Sequence, residues 1–172
     1  ICVLGLGYVG LPVCYYFAKK GFKVIGFEKN ILKLKDLKKG TISSDDVNLN
    51  VLKKLIEDKK ITLTNKTSFL RSADIYIICV PTPFEKKKEK DLIPTPNLNY
   101  VLAAAKSISH VVKENNLILL ESTSPVGTTK KIANLISQES AIGLDKLNFA
   151  RKLEYFFLRI DNSFLSKLSL VI

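Results

Sequence analysis

With 172 residues, 47 % of them hydrophobic, the chain is long enough for one globular core and too short for two. No apolar run approaches the ~18 residues of a membrane span, and no charged start precedes an apolar stretch as in a secretory signal, so a soluble, cytoplasmic protein with no membrane partner is expected. The net charge of +11 comes from lysines, as in KLKDLKK and EKKKEK, without interleaved aromatics or a groove-reading motif; they read as a solvated surface suited to an anionic nucleotide, and no nucleic-acid partner is expected.

Apolar runs of strand length alternate with longer helical patterns, the signature of βαβ units on a parallel sheet. The first strand is ICVLG (1–5), and a helix follows through YVGLPVCYYFAKKG (8–21). Pro12 falls in its first turn, where a missing N–H is tolerated, and Gly21 suits its C-terminal cap. A second strand, KVIGFE (23–28), ends at Glu28, and ILKLKDLKKG (31–40) is an amphipathic turn or short helix that stops at Gly40. After the polar connector TISSDDVN, LNVLKKLIEDKK (49–60) reads as a helix and ITLT (61–64) as a short strand. NKTSFLRSA (65–73) is a short helix with Asn65 or Thr67 as its cap.

DIYIICV (74–80) is a continuous apolar run, as expected of a strand covered on both faces. PTPFEKKKEKDLIPTP (81–96) is a loop, because four prolines and a charge cluster cannot continue a strand or a helix interior. NLNYVLAAAKSISHVVKENN (97–116) is a long helix capped near Asn97, with the single histidine, His110, in its middle. LILLES (117–122) is the next strand, TSPVGTT its turn, and KKIANLISQES (130–140) a helix. From Ala141 the periodicity weakens, and 141–172 is a divergent tail behind a domain of residues 1–140. The fold class is α/β: a Rossmann-like, doubly wound, mostly parallel sheet with helices on both faces.

Three cysteines, Cys2, Cys14 and Cys79, lie in apolar contexts without metal-ligand spacing; they read as buried thiols in a reducing compartment, and no metal is expected. The chain contains no methionine and opens inside an apolar run, so its natural start is expected upstream.

Glycines recur in turns of every sort, but Gly5, Gly7 and Gly10 follow a buried strand and open a helix, the context that gives the G-x-G-x-x-G spacing meaning. Gly5 allows the tight turn, Gly7 lets the backbone approach a pyrophosphate, and Gly10 lets helix and strand pack closely. The helix N-terminus offers N–H donors and a positive dipole end to phosphates. Glu28, closing the second strand, is placed to accept hydrogen bonds from both hydroxyls of an adenosine ribose and to repel a 2′-phosphate, which favours NAD over NADP; Lys29 and Lys33 temper that repulsion. VPTPF and ESTSPVG leave two further strands, so three unusual turns meet at the carboxyl edge of a doubly wound sheet, where ligands bind. Each turn alone is equally ordinary loop chemistry.

GLGYVGLP, an acid ending the second strand, VPTPF and ESTSPVGTT, in that order, resemble the N-terminal domain of the UDP-glucose/GDP-mannose dehydrogenase family, from Ile1 to about Gln138. The resemblance implies a two-step, NAD-dependent oxidation of a nucleotide-sugar C6 alcohol to a carboxylate in polysaccharide synthesis, with a UDP-sugar as partner substrate and a homo-oligomer for the intact family member. In the family a cysteine thiolate captures the aldehyde, since an aldehyde donates hydride poorly until a nucleophile adds. Carried over, Gly5, Gly7, Tyr8, Val9 and Gly10 line the pyrophosphate. Glu28 holds the ribose in place of the commoner aspartate, with Lys33 at the same end. Thr82, Ser122 and Thr123 face the cofactor, Thr123 also near the reacting centre in a supporting catalytic role. Glu121 is either functional or a structural strand-end acid.

The sequence departs from that pattern after GTT. The family's Pro-Glu-Arg turn, central-helix lysine and asparagine, and glycine-rich cysteine turn have no counterpart; Asp161–Phe164 echoes the asparagine, but Leu158 stands where the lysine belongs. The expectation is the cofactor half of a dehydrogenase, truncated or frame-disrupted, that binds NAD and lacks turnover by itself. The alternatives are a degenerate NAD-binding remnant and another NAD-dependent Rossmann dehydrogenase.

Overall fold

The apolar runs become the strands of one sheet. The computed structural model describes residues 1–42, 46–85 and 95–151, within which six strands run parallel: β1 (Cys2–Leu4), β2 (Val24–Phe27), β3 (Ile61–Thr64), β4 (Ile75–Ile78), β5 (Leu117–Leu120) and β6 (Asn148–Arg151). Their spatial order is β3-β2-β1-β4-β5-β6, so the winding reverses between β1 and β4 and opens a crevice at the strands' carboxyl ends. Leu4 pairs with Phe27 on one side and with Ile78 on the other, and Ile78 pairs with Leu120. Four strand ends therefore finish level around that crevice.

Side chains alternate between two cores, as strand geometry requires. Val3, Ile75 and Ile77 pack with α1 (Gly10–Lys19), α2 (Ile31–Lys39) and α3 (Leu49–Glu57). Cys2, Leu4, Tyr76 and Ile78 pack with α4 (Asn99–Ser109) and α5 (Thr128–Ser140). Strands β1 and β4 are buried throughout, which explains their unbroken apolar sequence. α4 and α5 are further tied together by Glu139: Ser109 Oγ donates to its Oε2 at 2.6 Å and Lys106 Nζ lies 3.3 Å from Oε1. The serine hydroxyl, then Lys106, hold that carboxyl below the usual glutamate range.

Helix ends follow local chemistry, with several differences from expectation. Asn30 Oδ1 accepts from the Leu32 and Lys33 N–H groups, and Gly40 closes α2 at φ 70°. Asn48 caps α3 in the same way. The segment at 67–72 is a 3-10 stretch whose N-cap is Lys66, so neither Asn65 nor Thr67 serves. α4 is shorter than its apolar pattern: Asn97 Oδ1 accepts from Asn99 N–H at 2.8 Å in a turn before the helix, and His110 is its exposed C-cap rather than a mid-helix residue. α5 takes in Thr128 and Thr129, because Gly127 at φ 85° starts the helix directly after Pro125 and Val126.

The proline-rich loop after β4 is closed at its base by an antiparallel bridge between Phe84 and Pro96. Glu85 N–H donates to Thr95 O at 2.8 Å and Asn97 N–H to Pro83 O at 2.7 Å. Its lysine cluster at 86–90, part of the connector at 43–45, and the tail with Leu158 and Asp161–Phe164 lie outside the described residues. β6 has no counterpart in the sequence reading, which ends the domain at residue 140. NFAR is too short and too mixed in polarity to show a period, and its partner β5 decides its state, from Leu117↔Asn148 to Leu120↔Arg151.

α1 sits close on the turn after β1: a Cβ at Gly10 would overlap the Gly5 carbonyl oxygen. Gly10→Ala is expected to lower stability by roughly 1–3 kcal/mol or more, the cost of forcing atoms into a filled contact, read as a lower urea midpoint with unchanged slope.

Candidate cofactor site

The turn from β1 into α1 is built by backbone that only glycine suits. Gly5 adopts φ 89° and its N–H donates to Phe27 O at 2.8 Å; a Cβ there would come within 2.8 Å of the Cys79 carbonyl oxygen. Gly7 differs, since its φ is not positive and a Cβ on it would meet nothing within 4 Å. Among the described residues, neither conformation nor packing requires glycine at this position. The free space lies in the cleft ahead of α1, whose N-terminus carries no side-chain cap, and a helix start of this kind attracts an anion.

That cleft, about 580 Å³ in volume, runs along the carboxyl ends of the strands. Of the residues singled out in the sequence, Gly5, Gly7, Tyr8, Val9, Glu28, Lys33, Thr82, Ser122 and Thr123 line it. Gly10 does not; it is buried beneath the turn, packed against the Gly5 carbonyl. Tyr8, 96 % exposed, stands at the mouth. Glu121 also reaches the wall.

Glu28 is held in place by its surroundings. Its Oε2 accepts from Leu6 N–H at 3.3 Å and lies 3.3 Å from Lys33 Nζ, while Oε1 accepts from Asn30 N–H at 3.0 Å. A carboxylate has about four acceptor sites, so one ribose hydroxyl can be accepted with Lys33 in place and a second when Lys33 swings aside. The Ser122 hydroxyl is turned inward, donating to Val80 O at 2.7 Å with Ile78 O at 3.2 Å. It braces the ends of β4 and β5 while the residue stays in the wall of the cleft, on the side expected to face the cofactor.

The wall also includes residues that sequence reasoning passed over: Phe27, Asn30, Tyr100, Ala103 and Ala104. Tyr100, Ala103 and Ala104 share one face of α4 through i, i+3, i+4 spacing, and the aromatic-then-alanine run YVLAAA is the signal that could have marked them. The cysteines are core thiols: burial pushes Cys2 and Cys14 up to about 12. Cys79 borders the cleft, but burial and then Glu121 also raise its thiol far above the ordinary range.

A level-ended 3-2-1-4-5-6 sheet with a glycine turn, a helix start and a strand-end acid around one cleft defines a dinucleotide-binding Rossmann domain. Residues 1–155 match the model of the UDP-glucose/GDP-mannose dehydrogenase family, NAD binding domain, and the chain belongs to that family. It is 39 % identical over 139 residues to the UDP-N-acetyl-D-mannosamine dehydrogenase of Campylobacter jejuni, covering 81 % of this chain and 32 % of that protein. The protein of the same name from Methanococcus maripaludis is 36 % identical over 140 residues, with the same shares covered. Among solved structures, UDP-D-ManNAc dehydrogenase from Pyrococcus horikoshii superposes with a TM-score of 0.75 at 29 % identity, covering 88 % of this chain and 35 % of the other. The chain thus spans about a third of the length of the relatives it matches.

Gly7→Ala separates ligand space from fold. Because its Cβ meets no atom of the described residues within 4 Å, the urea midpoint is expected to stay near that of the parent chain. NAD affinity is expected to fall roughly tenfold, the equivalent of overpacking one tight contact, in a calorimetric titration.

Proposed function

We propose that this chain is the NAD-binding part of a nucleotide-sugar 6-dehydrogenase of the UDP-N-acetylmannosamine type, which oxidises the sugar C6 alcohol to a carboxylate in polysaccharide synthesis. The observation that carries the reading is Gly7: a glycine unused by the fold, facing the cleft at the start of α1, with Glu28 on one side and Thr82 and Thr123 on the other. The names of the relatives support the sugar class. A cytoplasmic homo-oligomer acting on a UDP-sugar is part of the same proposal.

Bound in this cleft, NAD supplies the hydride acceptor. The chain's own residues bind and orient it. Main-chain N–H groups of the turn at Gly7, Tyr8 and Val9 receive the pyrophosphate without bringing in a charge that would need desolvation; in the first turn of α1 the Leu11 and Val13 N–H groups already donate to Gly7 O and Val9 O, and Pro12 has none. Glu28 accepts from the adenosine ribose, and its own bonds to Leu6 and Asn30 fix the distance between ribose site and glycine turn. Thr82 and Thr123 line the part of the cleft nearer β4 and β5, and the supporting role at the reacting centre is proposed for Thr123. The family's thiolate nucleophile has no counterpart among Cys2, Cys14 and Cys79, whose raised thiols are protonated at neutral pH. Turnover is therefore assigned to the longer enzyme, and this chain is proposed to bind without oxidising.

Titration with NAD and NADP, followed by an assay for NADH with UDP-N-acetylmannosamine, tests this. NAD is expected to bind, NADP more weakly, and no NADH to form. Glu28→Gln is expected to weaken NAD about tenfold, as loss of a charge-assisted hydrogen bond does, and to narrow the preference over NADP. Tighter binding of NADP by the parent chain would overturn the role of Glu28, and turnover by this chain would overturn its assignment as a binding part.

A further inference from the structure

The covalent order of a dinucleotide limits where its base can lie. With the pyrophosphate at Gly7 and the ribose at Glu28, the base continues past the ribose, away from Thr123. The wall there is apolar: Phe27 and Val80 from the strand ends, and Ala103 and Ala104 from α4. Tyr100 stands on the same face of α4, one turn before the alanines, with 54 % of its surface exposed. The two small side chains leave a slot beside a large aromatic ring, a shape suited to a flat heterocycle.

Among the described residues, several polar groups around this slot are engaged elsewhere. Asn30 Oδ1 accepts two backbone N–H groups of α2, Lys33 pairs with Glu28, and Ser122 donates to backbone carbonyls. Resting on the reading of the cleft as an NAD site, we propose that Tyr100 is the platform on which the base stacks, and that the base is held by stacking and shape instead of side-chain hydrogen bonds. The slot then selects a purine-sized ring while discriminating poorly between adenine and hypoxanthine, whose faces are alike and whose edges differ.

The chain has six tyrosines and no tryptophan, so tyrosine fluorescence reports the stack. The full 172-residue chain, Tyr100→Ala and Tyr100→Phe are titrated with NAD, ADP-ribose and nicotinamide hypoxanthine dinucleotide. Tyr100→Ala is expected to lose about tenfold in affinity for NAD and for ADP-ribose, the usual scale for removing one base-stacking aromatic, along with part of the fluorescence quench. Tyr100→Phe, which keeps the ring, is expected to bind NAD like the parent, and the hypoxanthine dinucleotide to bind the parent within about threefold of NAD, less than one lost hydrogen bond would remove. Unchanged NAD affinity in Tyr100→Ala overturns the platform, and a loss of about tenfold or more on exchanging adenine for hypoxanthine, the scale of a broken hydrogen bond, overturns recognition by shape. A parent chain that binds neither NAD nor ADP-ribose overturns the cofactor reading itself, a result distinct from both.

Discussion

The contact between α1 and the turn that precedes it is the constraint on which the site depends. Gly5 turns the chain at a φ closed to other residues, and Gly10 brings the helix down onto the Gly5 carbonyl. A side chain at Gly10 would lift α1 off the turn, and one at Gly5 would run into the Cys79 carbonyl at the end of β4. The helix start would then no longer face the space beside Gly7, and the positive end of its dipole would be directed elsewhere. Gly5 and Gly10 hold the turn in shape, and Gly7 leaves the space between them and the cleft open.

A second layer of the design holds the rest of the cleft at matching height. Register brings Leu4, Phe27, Ile78 and Leu120 to one level, and hydrogen bonds then tie the loops beyond them. Glu28 reaches across to Leu6 N–H, and Ser122 reaches back to Val80 O. Each bond joins segments far apart in sequence, tying together two loops on each side of the switch point. The glutamate side chain, one methylene longer than an aspartate, carries its carboxylate toward the glycine turn while Asn30 and Lys33 hold it from the other side.

Charge and thiol chemistry are kept apart from this framework. Lysines populate the exposed faces, and Lys33 is drawn into the cleft by Glu28, where it lowers the net negative charge met by an approaching nucleotide. The thiols are placed in the cores and stay protonated because burial penalises the thiolate. Among the described residues, the cleft thus combines an uncapped helix start and a strand-end acid with thiols that burial keeps protonated.

The parallel α/β architecture, the first five strands and the glycine turn with its acid were legible in the sequence, because buried strands read as unbroken apolar runs and a positive φ leaves glycine as its trace. Asn30, Asn48 and Gly40 likewise announce helix ends through bonds made within a few residues. What lay beyond reach was set by partners distant in the chain. β6 is a strand because β5 offers it an edge, α4 stops at Ser109 although its apolar pattern runs on, and Ser122 faces inward because Val80 O lies within 2.7 Å. Tyr100 belongs to the cleft for the same reason: its place depends on where α4 docks, and only tertiary packing decides that, since local propensity and periodicity encode a residue's immediate neighbours and not the far side of a fold.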